Sequence, residues 1–156
     1  MTIPSGRALL DVNVLIALLD ADHVDHVRAR RWLGVAVRTG WATCAITQNG
    51  FVRIVSQPRY PSPVSPAAAL DVLTRACAVP GHDFWPCEVS VLDVVDHERV
   101  HDARQVTDAY LLALAVHHGG ALVTFDRSVS LAAVPGARPD QLIVLSPEAT
   151  HHVTYL

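Results

Sequence analysis

The sequence contains no lysine: all 12 of its basic residues are arginine. With a net charge of −3, that excludes the uniformly positive surface of a non-specific nucleic-acid binder. It leaves room for a local basic rim, in which every phosphate contact would be a planar guanidinium fork. Cysteine is nearly as scarce. Cys44, Cys77 and Cys87 are odd in number and never spaced C-x-x-C, which excludes a disulfide framework and a cysteine zinc site and leaves reduced, partly buried thiols. No run approaches the roughly 18 apolar residues of a membrane span. The opening stretch 1–7 lacks the charged, apolar and cleavage regions of a signal peptide. Charged residues are few, at 17%, against 51% apolar and a mean hydropathy of +0.29, a balance that excludes disorder. A soluble, cytoplasmic chain with no membrane partner is expected.

What is present is an alternation of strands and helices. Arg7-Ala8-Leu9-Leu10 reads as a short apolar strand and residues 12–20 as a helix. Residues 25–38 form a second helix with apolar positions near helical spacing and arginines outward. Trp41-Ala42-Thr43-Cys44 reads as a strand and 46–55 as a helix. The four prolines of 57–66 mark a loop, and Pro66 suits the first turn of a helix over 67–78. At least one strand is expected within 84–95, then a helix over 106–118 closed by Gly119-Gly120. Strands over 121–125 and 141–145 complete the chain. This pattern predicts one α/β domain over 1–156, three-layered, with a mostly parallel central sheet flanked by helices.

Three carboxylates stand where such a sheet presents ligands. Asp11 and Asp126 directly follow apolar strands, and in an open α/β sheet ligands sit at the carboxyl ends of the strands. Asp108 falls at the expected head of the 106–118 helix, with Thr107 as its N-cap, where helix amides favour an ionised carboxylate. Clustered carboxylates stay ionised together only if a cation compensates, and hard oxygen ligands suit Mg²⁺ or Mn²⁺. Taken singly, each Asp is as easily a turn or cap residue, so spacing alone supports a metal site weakly.

The segments around these residues add weight. L-L-D-V-N-V-L-I-A-L at 9–18, V-T-D-A-Y-L-L-A-L-A at 106–115 and A-L-V-T-F-D-R-S at 121–128 resemble the first, third and fourth acidic motifs of PIN domains. More narrowly, they resemble VapC-like toxins of type II toxin–antitoxin pairs. The resemblance implies a PIN fold, Mg²⁺ or Mn²⁺ dependence, and endoribonuclease activity in which Asp11, Asp108 and Asp126 are both metal ligands and catalytic residues. It also implies inhibition by a small cognate antitoxin, and homodimers. In the second motif the usual Glu is replaced by Gln48, so that Gln48→Glu is expected to tighten metal binding. The same departure keeps a non-catalytic scaffold that binds RNA or a partner protein as the alternative.

Supporting roles are expected for Asn13, two residues after Asp11, and for Thr124, on the sheet face of Asp126 if the strand alternation holds. Arg53, Arg59 and Arg127 are the candidate RNA-phosphate contacts, while Arg28, Arg30 and Arg31 are expected to line an outer helix face. An aspartyl-phosphate phosphatase would want a D-x-D motif, and residues 11–15 read D-V-N-V-L. The nine histidines include His23/His26 and His97/His101 at helical spacing, but with no H-E-x-x-H they are read as surface or capping residues, as are His117 and His118.

Overall fold

The structure, a computed structural model, describes residues 6–36 and 38–146. Five strands form one sheet in the order β3-β2-β1-β4-β5, every pairing parallel. The strands are β1 (Ala8–Leu10), β2 (Trp41–Cys44), β3 (His82–Trp85), β4 (Ala121–Thr124) and β5 (Leu142–Val144). Among the described residues six α-helices connect them: α1 (Val12–Leu19), α2 (His26–Ala36), α3 (Ala45–Val55), α4 (Pro66–Cys77), α5 (Val91–Val94) and α6 (Ala103–His117).

The central strands are buried on both faces, which is why they read as unbroken apolar runs. Alternation then sorts their side chains. Ala8, Leu10 and Val123 join Leu15, Trp32, Phe51 and Leu73 beneath α1–α4. Leu9, Ala42, Cys44 and Leu122 join Leu111, Leu112 and Leu114 beneath α6. This is the three-layer α/β arrangement with a parallel sheet that the sequence predicts, and among the described residues no helix is long and apolar enough to cross a membrane.

The strand order places the topological switch point between β1 and β4. Chain growth from β1 runs outward through β2 to β3, then α6 carries it back across to β4 on the other side of β1. A crevice opens at the carboxyl ends of two neighbouring strands whose connections diverge. Asp11 leaves β1 at that point, and Thr124 ends β4 beside it.

Several boundaries differ from the expectations. The third strand is His82–Trp85, so it only overlaps the start of the 84–95 stretch expected to carry strand, which also holds the short helix Val91–Val94. The last strand starts at Leu142, because Pro139–Gln141 forms a 3₁₀ turn. The largest correction concerns α6, which starts at Ala103. Asp102 is its N-cap, accepting from Arg104 N at 2.9 Å, while Gln105 Oε1 accepts from Asp102 N at 3.1 Å. This reciprocal capping box adds almost a full turn before Val106. Thr107 is therefore no cap, and Asp108 lies in the second turn.

Candidate metal and nucleic-acid site at the switch point

Asp11 is the buried anchor of the site, 6% exposed. As N-cap of α1 it accepts from Val12 N at 2.7 Å through Oδ1, and from the Thr124 hydroxyl at 2.8 Å through Oδ2. Thr124 is fully buried, and its Oγ1 also accepts from the backbone N of Asp126 at 3.0 Å. One hydroxyl thus ties the first carboxylate to the turn bearing the third. This follows from strand alternation: Leu122 and Thr124 share the α6 side of the sheet.

Asp126 is exposed and accepts from Ser128 N at 2.7 Å. The Ser128 hydrogen bonds hold its carboxyl below the usual range, assisted by the nearby Arg104 guanidinium. Burial pushes Asp11 up, against its hydrogen bonds and with a further contribution from Asp126. Asp108, half-buried on α6, is pushed up to about 6 by burial and by the charges of Asp11 and Asp126. The three carboxylates share one field. Since Asp108 lies beyond the first turn of α6, helix-end amides do little to offset that field.

A cleft of about 440 Å³ opens beside Asp11, lined by Asn13, Asn49, Gly50, Arg53 and Thr107 among others. Asn13 and Arg53, singled out in the sequence, both line this cleft and are exposed. Asn49 and Thr107 were missed as site residues. Asn49 lies one residue from the position taken for the second motif, and Thr107 was assigned to the helix cap. Gly50 permits the closeness of α3 to α1: a Cβ there would stand 2.8 Å from Val12 Cγ2. Arg127 is exposed beside Asp126. Arg59 lies beyond α3 and outside the cleft, its Nε donating to Gln57 Oε1 at 3.1 Å.

Gln48 does not stand with the carboxylates. Its Nε2 donates to Thr43 Oγ1 at 3.0 Å, and Thr43 in turn meets His82 Nε2 at 2.8 Å. Thr43 alternates with Ala42 and Cys44, which face α6, so Gln48 points to the opposite side of the sheet. There it lines a groove with Leu73 and Cys77 of α4. Rotation along α3 explains this: with about 100° per residue, Asn49, Gly50 and Arg53 cannot face Asp11 together with Gln48. Arg28 also departs from expectation. It is half-buried, paired with Asp25, and lies 4.6 Å from the centre of the Phe125 ring.

Three oxygen-bearing acids, one deeply buried and one with a strongly raised pKa, form a donor set that gains from a hard cation. What marks the group is the raising of Asp108 and Asp11, by burial first and then by neighbouring carboxylate charge. The exposed Arg53 adjoins the same cleft, so an anion spanning it would meet positive charge.

Comparison with known proteins bears on this arrangement. Residues 8–135 match the PIN domain family. Ribonuclease VapC44 of Mycobacterium tuberculosis is 63% identical over 141 residues, covering 89% of this chain and 99% of its own length. Ribonuclease VapC39 of the same organism is 45% identical over 133 residues, covering 83% of this chain and 95% of its own. Among solved structures, Mycobacterium tuberculosis VapC20, a sarcin-ricin loop cleaving toxin, aligns with a TM-score of 0.55 at 17% identity, over 85% of this chain and 99% of that one. VapBC2 from Rickettsia felis, bound to a DNA fragment from their promoter, aligns with a TM-score of 0.59 at 11% identity, over 89% and 97%. At such identities the two structures speak for the fold alone.

Proposed function

The chain belongs to the PIN-domain family, in its VapC branch, and on that footing we propose that it is a metal-dependent endoribonuclease and the toxin of a toxin–antitoxin pair. Asp11, Asp108 and Asp126 would hold Mg²⁺ or Mn²⁺. The observation that carries the reading is Asp108, raised to about 6 by burial and by the charges of Asp11 and Asp126, so that the three carboxylates share one field near the carboxyl ends of β1 and β4. Ribonuclease is also what relatives at 63% and 45% identity are called.

When bound, the cation supplies activation of water and stabilisation of the charge developing on the phosphodiester. The chain's own residues do the rest. Asp11 is fixed by Val12 N and Thr124, so its orientation is set before any ligand arrives. Thr124 acts as a positioning residue, since it holds both Asp11 and the backbone of Asp126. Asn13, Asn49 and Thr107 line the cleft where ribose or base edges would lie. Arg53 offers the guanidinium for a backbone phosphate, with Arg127 next to Asp126 as the second contact and Arg59 as a more distant one. Gln48 supports the site at most through the packing of α3. A small cognate antitoxin and a homodimer of this chain complete the proposal, on the strength of the VapC relatives.

The test is cleavage of RNA by the purified chain in Mg²⁺ or Mn²⁺, compared with Asp11→Asn. Cleavage lost in the variant and in EDTA supports the reading. Cleavage surviving both would overturn it. Tight RNA binding without cleavage in either metal would favour the scaffold alternative, which draws on the cleft-facing residues of α3: Ile46, Asn49, Gly50 and Arg53 include no acid.

A further inference from the structure

The far end of α6 carries a second group of ligands that the ribonuclease reading does not use. His117 ends the helix and His118 caps it. The chain between β3 and α5 brings Glu88 against both. Glu88 Oε1 lies 3.2 Å from His117 Nε2 and 3.5 Å from His118 Nε2. All three ligand atoms lie within 4.8 Å of one another. The nine residues from Asp108 to His117 span about 14 Å of helix, so this group is separate from the acidic cleft.

From this geometry we infer that Glu88, His117 and His118 form a zinc site, distinct from the carboxylate site and able to take Zn²⁺ or a similar borderline-soft divalent ion. Bonds of about 2.0–2.1 Å to imidazole nitrogen and carboxylate oxygen put tetrahedral ligand atoms about 3.3–3.4 Å apart. Both nitrogen–oxygen separations, 3.2 and 3.5 Å, fall close to that spacing. An ion pair between a helix-terminal imidazolium and Glu88 would need one histidine. Here two rings turn the same nitrogen toward the same oxygen. His118 Nε2 is buried and has no hydrogen bond, a cost that a metal ion would remove. Its ring is held by stacking on Trp85, with centroids 4.6 Å apart and planes 12° apart. Trp85 can lie there because Gly120 has no Cβ, which would meet the indole at 2.6 Å. His117 and Glu88 are each about half exposed, so water can fill the fourth position. Imidazole favours zinc over magnesium, whereas the three aspartates favour the reverse. An ion here would clamp the C-terminal end of α6 to the segment after β3, which Tyr110 already ties through a 2.8 Å hydrogen bond to Val89 O.

The experiment is Zn²⁺ binding to the full chain by equilibrium dialysis and thermal shift, in excess Mg²⁺ to occupy the acidic cleft. One zinc per chain is expected, with a rise in the unfolding midpoint of roughly 3 °C or more at saturation. Glu88→Gln and His117→Asn should each weaken binding at least about 10-fold. His118→Phe, which keeps a ring on Trp85, should do the same, while Asp11→Asn should leave zinc binding unchanged. Wild-type binding retained by Glu88→Gln and His117→Asn would overturn the assignment, as would zinc lost with Asp11→Asn. The readout is zinc occupancy rather than RNA cleavage, so it stands or falls independently of the proposed ribonuclease.

Discussion

The two ends of α6 solve opposite electrostatic problems. Near its start, Asp108 faces two other carboxylates at the carboxyl edge of the sheet, and every close charge raises its pKa. At its end, His117 and His118 face a single carboxylate, Glu88, so charge on the rings would be attracted rather than repelled. In the first group Asp11 and Asp126 are held in place by backbone and Thr124 hydrogen bonds. The second needs no such restraint beyond the Trp85 stack. Repulsion held by a rigid frame would make a ligand set responsive to a cation; attraction would make a clamp.

The comparison breaks most visibly at Asp11. Asp11→Asn should lower RNA cleavage more than about 100-fold, beyond the loss usual for outer-sphere partners, with the far end of α6 undisturbed. Initial rates in Mg²⁺ on a labelled RNA measure this, and a loss under threefold would remove Asp11 from the chemistry. Thr124→Val comes next. Deleting the hydroxyl that joins Asp11 to the Asp126 turn should reduce Mg²⁺ affinity or activity about 10- to 100-fold. Mg²⁺ titration of activity distinguishes a looser site from a dead one.

A smaller effect sharpens the contrast, because it runs the other way. The folded pKa of Asp108, about 6, lies above the 3.8 of an ordinary aspartate. The native state therefore holds an extra proton between those values. The stabilisation it brings is complete below about pH 4 and lost as pH rises through about 6. At neutral pH without metal, Asp108→Asn should thus stabilise the protein, by about 1–2 kcal/mol after solvent screening. The same change should erase cleavage and the stabilisation by Mg²⁺. Denaturant midpoints in EDTA across pH 5–8 follow it: the advantage of the variant should grow with pH, and a constant gap would mean that the folded protein does not raise Asp108. In the wild type, Mg²⁺ affinity should fall as pH drops through about 6.

The smallest expected effect is at Gln48. Since its amide is bonded to Thr43 on the other side of the sheet, Gln48→Glu should change Mg²⁺ affinity by less than about twofold, in place of the tightening expected from the motif. Calorimetry showing several-fold tighter binding would mean that α3 can turn this side chain into the cleft.

These cases divide what local sequence can show from what it cannot. The parallel sheet was legible because strands buried on both faces are continuous apolar runs, and Asp11 and Asp126 were legible because each directly follows one. Thr124 followed from alternation along β4, which is a local rule. The start of α6 was available in principle through the Asp102–Gln105 capping box, but the polar run H-D-A-R-Q resembles a loop until the reciprocal bonds are seen. Gln48 was misplaced because the motif gives a position along α3 and says nothing of the rotation of that helix about its axis. That rotation is set by Phe51 and Val55 packing into the core and by Gly50 meeting Val12.

By itself, then, the chain determined its strands, their shared carboxyl edge and two of the three acids, since these depend on side-chain burial and on neighbours one to four residues away. Tertiary structure alone decided which face of α3 meets Asp11, how far Asp108 is driven by charges from β1 and β4, and that Glu88 meets His117 and His118. Each of those outcomes is a contact between residues far apart in sequence, fixed by how helices seat on the sheet, and no local periodicity encodes it.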